Sequence, residues 1–418
     1  MNIKESLNLI KDVLSNRNIL SISLTTSLWS LVQMGWNPFW PKYMKDHLGA
    51  TAIAIGLVSS ITTAENMIFQ LPGGILADRY GRKRIIVWGT LLRVFSPLIY
   101  LLAPSWEWVI LGAVFNGMAS LYMPAFTSIV ADSMPESRRG TGYGAYSMIT
   151  SLPQAFSPII GGAVMDRYGY VEGVKTFLSI QIAVCLLMVY IRWRYTEETL
   201  KTRATRRGGG RSLRLDAQVM RGFPPSIKVM MIVSILGSVS IRLVMDFTNL
   251  YALEVVKITN TQLGLAQSLV GLISSVLALP GGMLSDRYGR KGNIMLSRLT
   301  TPITQWLMTI AFNFESYLII RSLNGVGLAL GGGGMYTGGP SWNALIADIV
   351  PQERRGTVFG AMSTLTAIFG APSSIIGGWL WDTISRQAPF HLSGIIGLVG
   401  AIIFWLGVKE PRREEERI

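Results

Sequence analysis

The chain has 418 residues, half of them apolar, and a mean hydropathy of +0.39. This apolar fraction and mean hydropathy exclude a soluble domain of this size. The net charge of +14 could suit a nucleic acid, but the basic residues sit in alternate loops between apolar segments, so no nucleic-acid partner is expected. The one cysteine, Cys185, excludes an internal disulfide and a cysteine-rich metal site. We expect neither a metal nor a cofactor.

Twelve apolar segments are each long enough to cross about 30 Å of hydrocarbon, which takes about 20 helical residues. Helices are predicted because backbone exposed to lipid must satisfy its own hydrogen bonds, and the short alternating strands of a barrel are not seen in the sequence. The sequence therefore predicts an all-α membrane protein. The segments, called spans 1 to 12, are 19–43, 53–76, 85–102, 106–130, 141–165, 174–193, 228–253, 263–284, 293–312, 317–347, 357–380 and 390–408.

Span 1 carries a stripe of aromatic and amide side chains. Its members are Trp29, Gln33, Trp36 and Trp40, at spacings that bring them to one helix face. Such a face suits a lipophilic or aromatic ligand. Internal packing is the other interpretation, and an interfacial tryptophan belt would explain Trp36 and Trp40 near the outer end.

Glu65 is an acidic residue deep inside span 2. It precedes Asp78 by about 13 residues, so at about 1.5 Å per residue it lies roughly 20 Å from the inner face. A charge at that depth costs at least about 2.5 kcal/mol. A buried carboxylate readily holds a proton, so Glu65 is a candidate for proton coupling. A structural ion pair with Arg93 of span 3 is the alternative.

Two motifs occur twice. Residues 71–83, LPGGILADRYGRK, return at 279–291 as LPGGMLSDRYGRK, and residues 132–140, DSMPESRRG, return at 348–356 as DIVPQERRG. The offsets, 208 and 216 residues, are too long for a solenoid repeat and indicate a duplicated half. We therefore expect two pseudo-symmetric six-helix bundles, 1–193 and 223–418, joined by a linker at 194–222.

The linker is rich in arginine and contains three consecutive glycines, which indicates a flexible loop. Most of the lysine and arginine falls in the tails and even-numbered loops, so both termini are predicted to be cytoplasmic. The linker is interpreted as a topology determinant, with contact to anionic lipid as the alternative. The N-terminal segment is polar and lacks the pattern of a signal peptide.

Span 7 contains an ionisable pair, Arg242 and Asp246, one turn apart on one face. The pair either neutralises itself or faces a cavity. In the second case Arg242 would bind an anionic group, or Asp246 would take a proton or a cation. Asn116 and Asn324 are related by 208 residues, and such amides serve as interhelical links or as ligand contacts.

The second half has about eight more residues between its two motifs than the first half, and they fall in residues 325–340, GVGLALGGGGMYTGGP. Four consecutive glycines destabilise a helix, so a break or hinge that moves or opens a cavity is predicted. An extended loop is the alternative. A phosphate-binding loop is not expected, because no Gly-Lys-Ser or Gly-Lys-Thr follows.

The loop from Gly74 to Lys83 resembles the signature loop of the major facilitator superfamily, at the position between spans 2 and 3 where that family has it. The resemblance extends over the whole chain. It implies a central cavity lined by helices 1, 4, 7 and 10, and an acidic residue of the loop that locks an inner gate. Gly74 and Gly282 would allow close helix approach, and Gly81 and Gly289 a turn with positive φ.

The gating candidates are the residues of the two repeated motifs. They are Gly74, Asp78, Arg79, Gly81, Arg82, Asp132, Arg138, Arg139, Gly282, Asp286, Arg287, Gly289, Arg290, Asp348, Arg354 and Arg355. Asp78 and Asp286 are expected to interact with a helix N-terminus and with arginines of the second motif, for which Arg138, Arg139, Arg354 and Arg355 are candidates. Simple anchoring of the topology by charge is the alternative.

Span 5 contains Pro153, Ser157, Pro158, Gly161 and Gly162, which resemble part of the family's antiporter motif. This likeness favours the drug/proton antiporter branch, and the signature of the sugar branch is missing after span 6. The sequence from Arg321 to Gly325 resembles the family's RxxxG element. The arginine that proton antiporters have in the fourth helix is replaced by Ala113, which weakens the analogy with their proton mechanism.

The resemblance predicts a secondary active transporter that works by alternating access, exporting lipophilic or amphipathic small molecules in exchange for protons. Alternatives are uptake or facilitated exchange of a polar organic anion or sugar-like solute, and a non-transporting receptor. An enzyme is not expected. The expected partners are a small-molecule substrate, protons and membrane lipids, for a monomer in the cell membrane. The candidate proton carriers are Glu65 and Asp246, and the cavity candidates are Trp29, Gln33, Trp36, Asn116, Arg242, Asn249, Arg321, Asn324 and Tyr336.

Overall fold

The structure is a computed structural model that describes residues 16–133, 139–199, 223–331 and 340–409. Within these ranges the regular elements are helices, and helix is found in each of the twelve predicted spans, which confirms the all-α prediction. The α-helices, numbered here in chain order, are α1 Arg17–Trp36, α2 Trp40–Asp46, α3 Ala52–Tyr80, α4 Arg82–Leu102, α5 Glu107–Ala119, α6 Met123–Asp132, α7 Arg139–Tyr168, α8 Tyr170–Tyr195, α9 Pro225–Tyr251, α10 Asn260–Tyr288, α11 Arg290–Met308, α12 Phe314–Gly331, α13 Pro340–Ile349, α14 Gln352–Thr383 and α15 Ala388–Gly407.

Three predicted spans are each divided into two α-helices. Span 1 is α1 and α2 joined by the 3-10 turn Asn37–Phe39, in which Pro38 lacks a backbone donor. Span 4 is α5 and α6 joined by the 3-10 turn Ser120–Tyr122. Span 10 is α12 and α13, and the glycine-rich residues between them, 332–339, lie outside the described part of the chain. Seven segments of the described residues are long and apolar enough to cross a membrane.

The duplication predicted from the sequence is visible in the helix boundaries. Helices α3 and α10 both have 29 residues and end at Tyr80 and Tyr288, and one residue separates each from the next helix. That residue is Gly81 (φ +95°) or Gly289 (φ +96°). Only glycine adopts such angles without strain, so the predicted role of both glycines in a tight turn is confirmed.

The glycines that permit close helix approach are not those predicted. A side chain at Gly73 would collide with the backbone of Leu121, and one at Gly281 would lie 2.7 Å from the carbonyl oxygen of Ala329. By contrast, a side chain at Gly74 would make an ordinary contact, and one at Gly282 would meet nothing within 4 Å. The prediction of Gly74 and Gly282 was wrong by one residue, because successive residues point about 100° apart around a helix.

The chain forms two compact units. Unit 1 contains residues 1–50, 61–207 and 259–268, and unit 2 contains residues 51–60, 208–258 and 269–418. The first turns of α3 therefore belong to unit 2, and those of α10 to unit 1. Each unit has its own apolar core, around Ile22, Ile86 and Ile129 in unit 1 and around Ile227 and Phe404 in unit 2.

Candidate functional site

In unit 1 two arginines flank one aromatic ring. The guanidinium of Arg93, on α4, lies 4.7 Å from the ring centre of Trp29 on α1 and 5.2 Å from that of Tyr122. The guanidinium of Arg192, on α8, lies 5.2 Å from the same Tyr122 ring. Guanidinium groups over aromatic faces gain about 0.5–2 kcal/mol. Trp29, a predicted cavity residue, is thus half-buried beneath a cation.

The two arginines differ in their hydrogen bonds. Arg192 is 1% exposed and donates from Nε to Thr25 Oγ1 (3.1 Å) and from Nη1 to Thr90 Oγ1 (2.7 Å). Arg93 is half-buried, and its buried Nε has no partner among the described residues. Arg192 therefore has the surroundings of a structural residue, whereas Arg93 retains an unmet donor.

Glu65, on α3 in unit 1, is 8% exposed and makes no ion pair with a described residue. Its buried Oε2 also lacks a hydrogen-bond partner in the described part of the chain. A side chain at Gly117 of α5 would lie 2.5 Å from Cβ of Glu65 and 2.9 Å from Oε2, so this glycine makes room for the acid. The alternative of a structural pair with Arg93 is wrong, because that guanidinium faces Trp29 and Tyr122 instead.

The other members of the span 1 stripe contact neighbouring side chains of unit 1. Trp36 is buried and its indole Nε1 donates to Oε1 of Gln181 on α8, while Nε2 of Gln181 donates to Oε1 of Gln33 (2.6 Å). Trp40 lies with its ring centre 5.0 Å from that of Trp36. The packing interpretation therefore holds for Trp36 and Trp40 in this structure, and the Gln33 oxygen is also engaged.

In unit 2 the pair on α9 lies against α14. Arg242 is 8% exposed, and a side chain at Gly370 would lie 3.0 Å from its Cδ. Asp246 is half-buried, interacts electrostatically with Arg242 and is hydrogen-bonded to the Ser59 side chain. Both interpretations of this pair keep support, since the two charges are close and the acid also has a neutral partner.

The remaining cavity candidates lie in separate environments. Asn324 donates to Thr304 Oγ1 (3.3 Å), which fits an interhelical link, and Arg321 interacts electrostatically with Tyr317, one turn earlier on the same helix. Asn116 and Asn249 are half-buried on α5 and α9. Tyr336 lies outside the described residues, as does half of the predicted hinge segment 325–340.

Each repeated loop carries an ion pair that joins the two repeated motifs. Arg82 pairs with Asp132 and also donates to Thr199 Oγ1 (3.2 Å), while Arg290 pairs with Asp348. Arg82 and Arg290 are 208 residues apart, and Asp132 and Asp348 are 216 apart, so the pairs are equivalent under the duplication. All four residues were predicted for gating, but their pairing was not.

The predicted arginine partners of the loop aspartates are placed differently or not described. Arg355 donates to the carbonyl oxygens of Val350 (3.1 Å) and Ala347 (2.6 Å), at the end of α13, and Arg354 is exposed. Arg79 is exposed beside the Tyr80 ring. The side chains of Asp78, Arg139, Asp286 and Arg287 are outside the described part of the structure, and so is the whole of Arg138.

A second repeated feature was missed. Asp166 lies in the last turn of α7 and accepts hydrogen bonds from the backbone N–H groups of Asn260 and Thr261, at the start of α10. Asp382, 216 residues later on α14, accepts from the N–H group of Ile53 at the start of α3 (3.1 Å). The signal was present in the sequence, since residues 157–162, SPIIGG, return at 373–378 as SSIIGG with the same offset.

Glycines bring the capped helices together. A side chain at Gly162 would collide with the backbone of Asn260, and one at Gly378 with that of Ala52. The glycine preceding each is equally close to a backbone, that of Gly35 for Gly161 and that of Leu243 for Gly377. The span 5 motif therefore acts through backbone contact on two neighbouring helices.

These features define a helical membrane protein built from two related halves. Among sequence relatives, the class H tetracycline resistance protein of Pasteurella multocida is 21% identical over 93% of this chain and 94% of its own length. The multi-drug resistance efflux pump PmrA of Streptococcus pneumoniae is 22% identical over 85% of this chain and 86% of its own. A crystal structure of a mutant nucleoside transporter NupG matches with a TM-score of 0.77 at 15% identity, covering 94% of this chain and all of that one.

The family model of the Major Facilitator Superfamily matches residues 22–371 and, in a second match, 230–418. The chain belongs to this superfamily. It is a membrane transporter of small molecules and not an enzyme.

Proposed function

We propose that this transporter exports lipophilic or amphipathic small molecules in exchange for protons, by alternating access. The observation that carries the proposal is Glu65, a carboxylate buried in a membrane helix without a cationic partner among the described residues. Burial of such a group costs much free energy when it is an anion and far less when it is protonated. Relatives that confer tetracycline and multi-drug resistance support export over uptake.

Glu65 would alternate between its charged and neutral forms as the transporter changes state. It would take a proton when its surroundings open to the more acidic side, and release it when the other side is exposed. Asp246 is the second candidate carrier, since a protonated Asp246 would keep its hydrogen bond with Ser59. The ion pairs Arg82–Asp132 and Arg290–Asp348 are candidates for contacts that differ between states.

The orientation and setting belong to the same proposal. Both termini would be cytoplasmic, as the distribution of basic residues predicts, and the protein would act as a monomer in the cell membrane. The basic linker 194–222 would help to fix this topology, as its arginines predict.

The test is dye efflux from proteoliposomes with an imposed pH gradient. Lipophilic cations and aromatic anions would be compared for the wild type, Glu65→Gln and the control Glu315→Gln, which changes an exposed glutamate in the first turn of α12. We expect the gradient to drive movement of at least one dye, with loss of that dependence in Glu65→Gln only. Movement that ignores both the gradient and the Glu65 variant would refute proton coupling through this residue.

A second candidate function is exchange of a polar organic anion. It is favoured by Arg242, a guanidinium that is 8% exposed on α9 in unit 2. Counterflow of a labelled dicarboxylate, compared between Arg242→Gln and Asp246→Asn, separates the two functions. Loss in the arginine variant alone would favour anion exchange, and an absence of counterflow for every solute would favour the receptor alternative.

A further inference from the structure

We infer that unit 1 contains a subsite for the acidic group of an amphipathic substrate, formed by Arg93 and Trp29. The inference rests on the proposed transport function and narrows its substrate class to lipophilic organic anions, such as aromatic carboxylates. Neither residue was assigned to anion binding above, where Arg242 was the candidate anchor.

Several hydrogen-bond donors around Trp29 and Arg93 in unit 1 have no partner among the described residues. The indole Nε1 of Trp29 and the Nε of Arg93 are buried and have no hydrogen-bond partner among the described residues, although the guanidinium lies 4.7 Å from the indole centre. The Oγ1 of Thr26 is also unpartnered, and it lies one turn before Trp29 on the same face of α1. A buried donor without a partner costs about 1–3 kcal/mol, so a cluster of them calls for an acceptor.

The two positive charges near Tyr122 favour binding of an anion. Arg93 and Arg192 each have a guanidinium 5.2 Å from the centre of the Tyr122 ring, so two like charges share one weakly polar region. Glu65, the buried acid of unit 1, forms no ion pair with either. A carboxylate placed on Arg93 would offset this excess and accept from the open donors.

Cation–π stacking alone does not explain Arg93. Arg192 faces the same ring, but it is 1% exposed and its Nε and Nη1 already donate to Thr25 and Thr90. Arg93 remains half-buried with an open Nε. Arg192 is therefore a structural residue, whereas Arg93, with its Nε lacking a partner in the described part of the chain, is suited to bind a ligand.

The test measures binding without transport. The full-length protein in detergent is titrated with 1-naphthoate and, separately, with the neutral isostere 1-naphthamide, and thermal unfolding is followed. The variants are Arg93→Gln and Trp29→Phe, which keeps an aromatic ring but removes the N–H. Arg298→Gln is the matched control, since the Arg298 guanidinium also lies 4.7 Å from a tryptophan ring, that of Trp342 in unit 2, but donates to the Val233 carbonyl.

We expect the carboxylate, and not the amide, to raise the unfolding temperature of the wild type and of the Arg298 variant. Losing a charged hydrogen bond should raise the Kd about 10- to 100-fold in Arg93→Gln, and losing the neutral one about 5-fold in Trp29→Phe. Equal responses to acid and amide, no response, or a response unchanged by Arg93→Gln would each overturn the inference. If the carboxylate binds through Arg93 but a pH gradient drives no efflux, the proton-coupled function fails while the subsite stands.

Discussion

Asp166 caps the start of α10 with three hydrogen bonds. Its Oδ1 accepts from the backbone N–H of Asn260 (3.1 Å) and from that residue's Nδ2 (2.8 Å), and its Oδ2 accepts from the N–H of Thr261 (2.7 Å). A carboxylate at a helix N-terminus satisfies donors that the helix itself leaves open and meets the positive end of its dipole. The equivalent residue of the second half, Asp382, likewise accepts a hydrogen bond from the backbone N–H of Ile53 at the start of α3.

The Asp166 cap predicts a pH dependence of stability. Asp166 lies just beyond the predicted span 141–165, and although burial acts to raise its pKa, hydrogen bonds from Thr261 and Asn260 hold that pKa below the ordinary value of 3.8. A folded-state pKa below the unfolded one means that the cap stabilises at pH values above 3.8 and that this stabilisation is lost as the pH falls through the folded-state pKa.

The measurement is thermal unfolding in detergent from about pH 6 to about pH 3, for wild type and Asp166→Asn. The asparagine variant should unfold at a lower temperature at the upper end of this range, because a charged cap is replaced by a neutral one. The difference should shrink as the pH falls. A constant difference across the range would mean that the carboxylate charge contributes nothing to the cap.

The close-approach glycines give a sharp comparison between adjacent residues. Gly281→Ala would place a methyl group 2.7 Å from the carbonyl oxygen of Ala329, and overpacking of this kind costs about 1–3 kcal/mol. Gly282→Ala meets nothing within 4 Å, and alanine is the better helix former by about 1 kcal/mol, so it should be neutral or stabilising. Unfolding temperatures of the two variants in one detergent decide the matter, and the reverse order would contradict the packing described for α10.

The ion pairs of the repeated loops should couple within each half. Asp132→Asn and Arg82→Gln should each alter transport, and the double variant should cost less than the sum of the single effects, because the second change removes a partner already lost. Since both side chains are partly exposed, a coupling of about 0.5–1 kcal/mol is expected. The repeat-related pair Arg290 and Asp348 provides the internal comparison. The partly exposed pair Lys42 and Asp46, outside both repeated motifs, is a control in which no effect on transport is expected.

Strictly additive effects at Arg82 and Asp132 would show that the two residues act separately. Additive effects at both repeated pairs would favour the alternative interpretation, in which the charged loops only anchor the topology. A change in transport without a change in thermal stability would locate the effect in the conformational equilibrium.

The large features of the fold followed from local sequence signals. Hydrophobic length predicted the twelve helical segments, and the repeated glycine of LADRYGRK and LSDRYGRK predicted a turn that only glycine makes at Gly81 and Gly289. The close-packing glycines were missed by one residue, because a sequence motif does not give the rotation of a helix about its axis. The caps at Asp166 and Asp382 depend on which helices become neighbours, and that is a property of the assembled units.

The candidate site shows the same limit. A buried acid such as Glu65 can be recognised from its depth in a span, but its separation from Arg93 depends on side-chain direction, and Arg93 turned to Trp29 and Tyr122 instead. The distinction between Arg93 and Arg192 rests on two threonine hydroxyls, contributed by other helices, that no spacing along the chain reveals.

Gly117 offers a way to disturb Glu65 without removing its carboxyl group. An alanine at Gly117 would lie 2.5 Å from Cβ of Glu65 and 2.9 Å from Oε2, so the acid must move. If proton coupling depends on where this carboxylate lies, Gly117→Ala should weaken the dependence of dye efflux on the pH gradient, in the direction of Glu65→Gln. Thermal unfolding of the same preparation monitors folding, and Gly292→Ala, with nothing within 4 Å, is the control for adding a methyl group to a helix. Normal coupling in a folded Gly117→Ala protein would show that the position of Glu65 is not critical, and would weaken its assignment as the proton carrier.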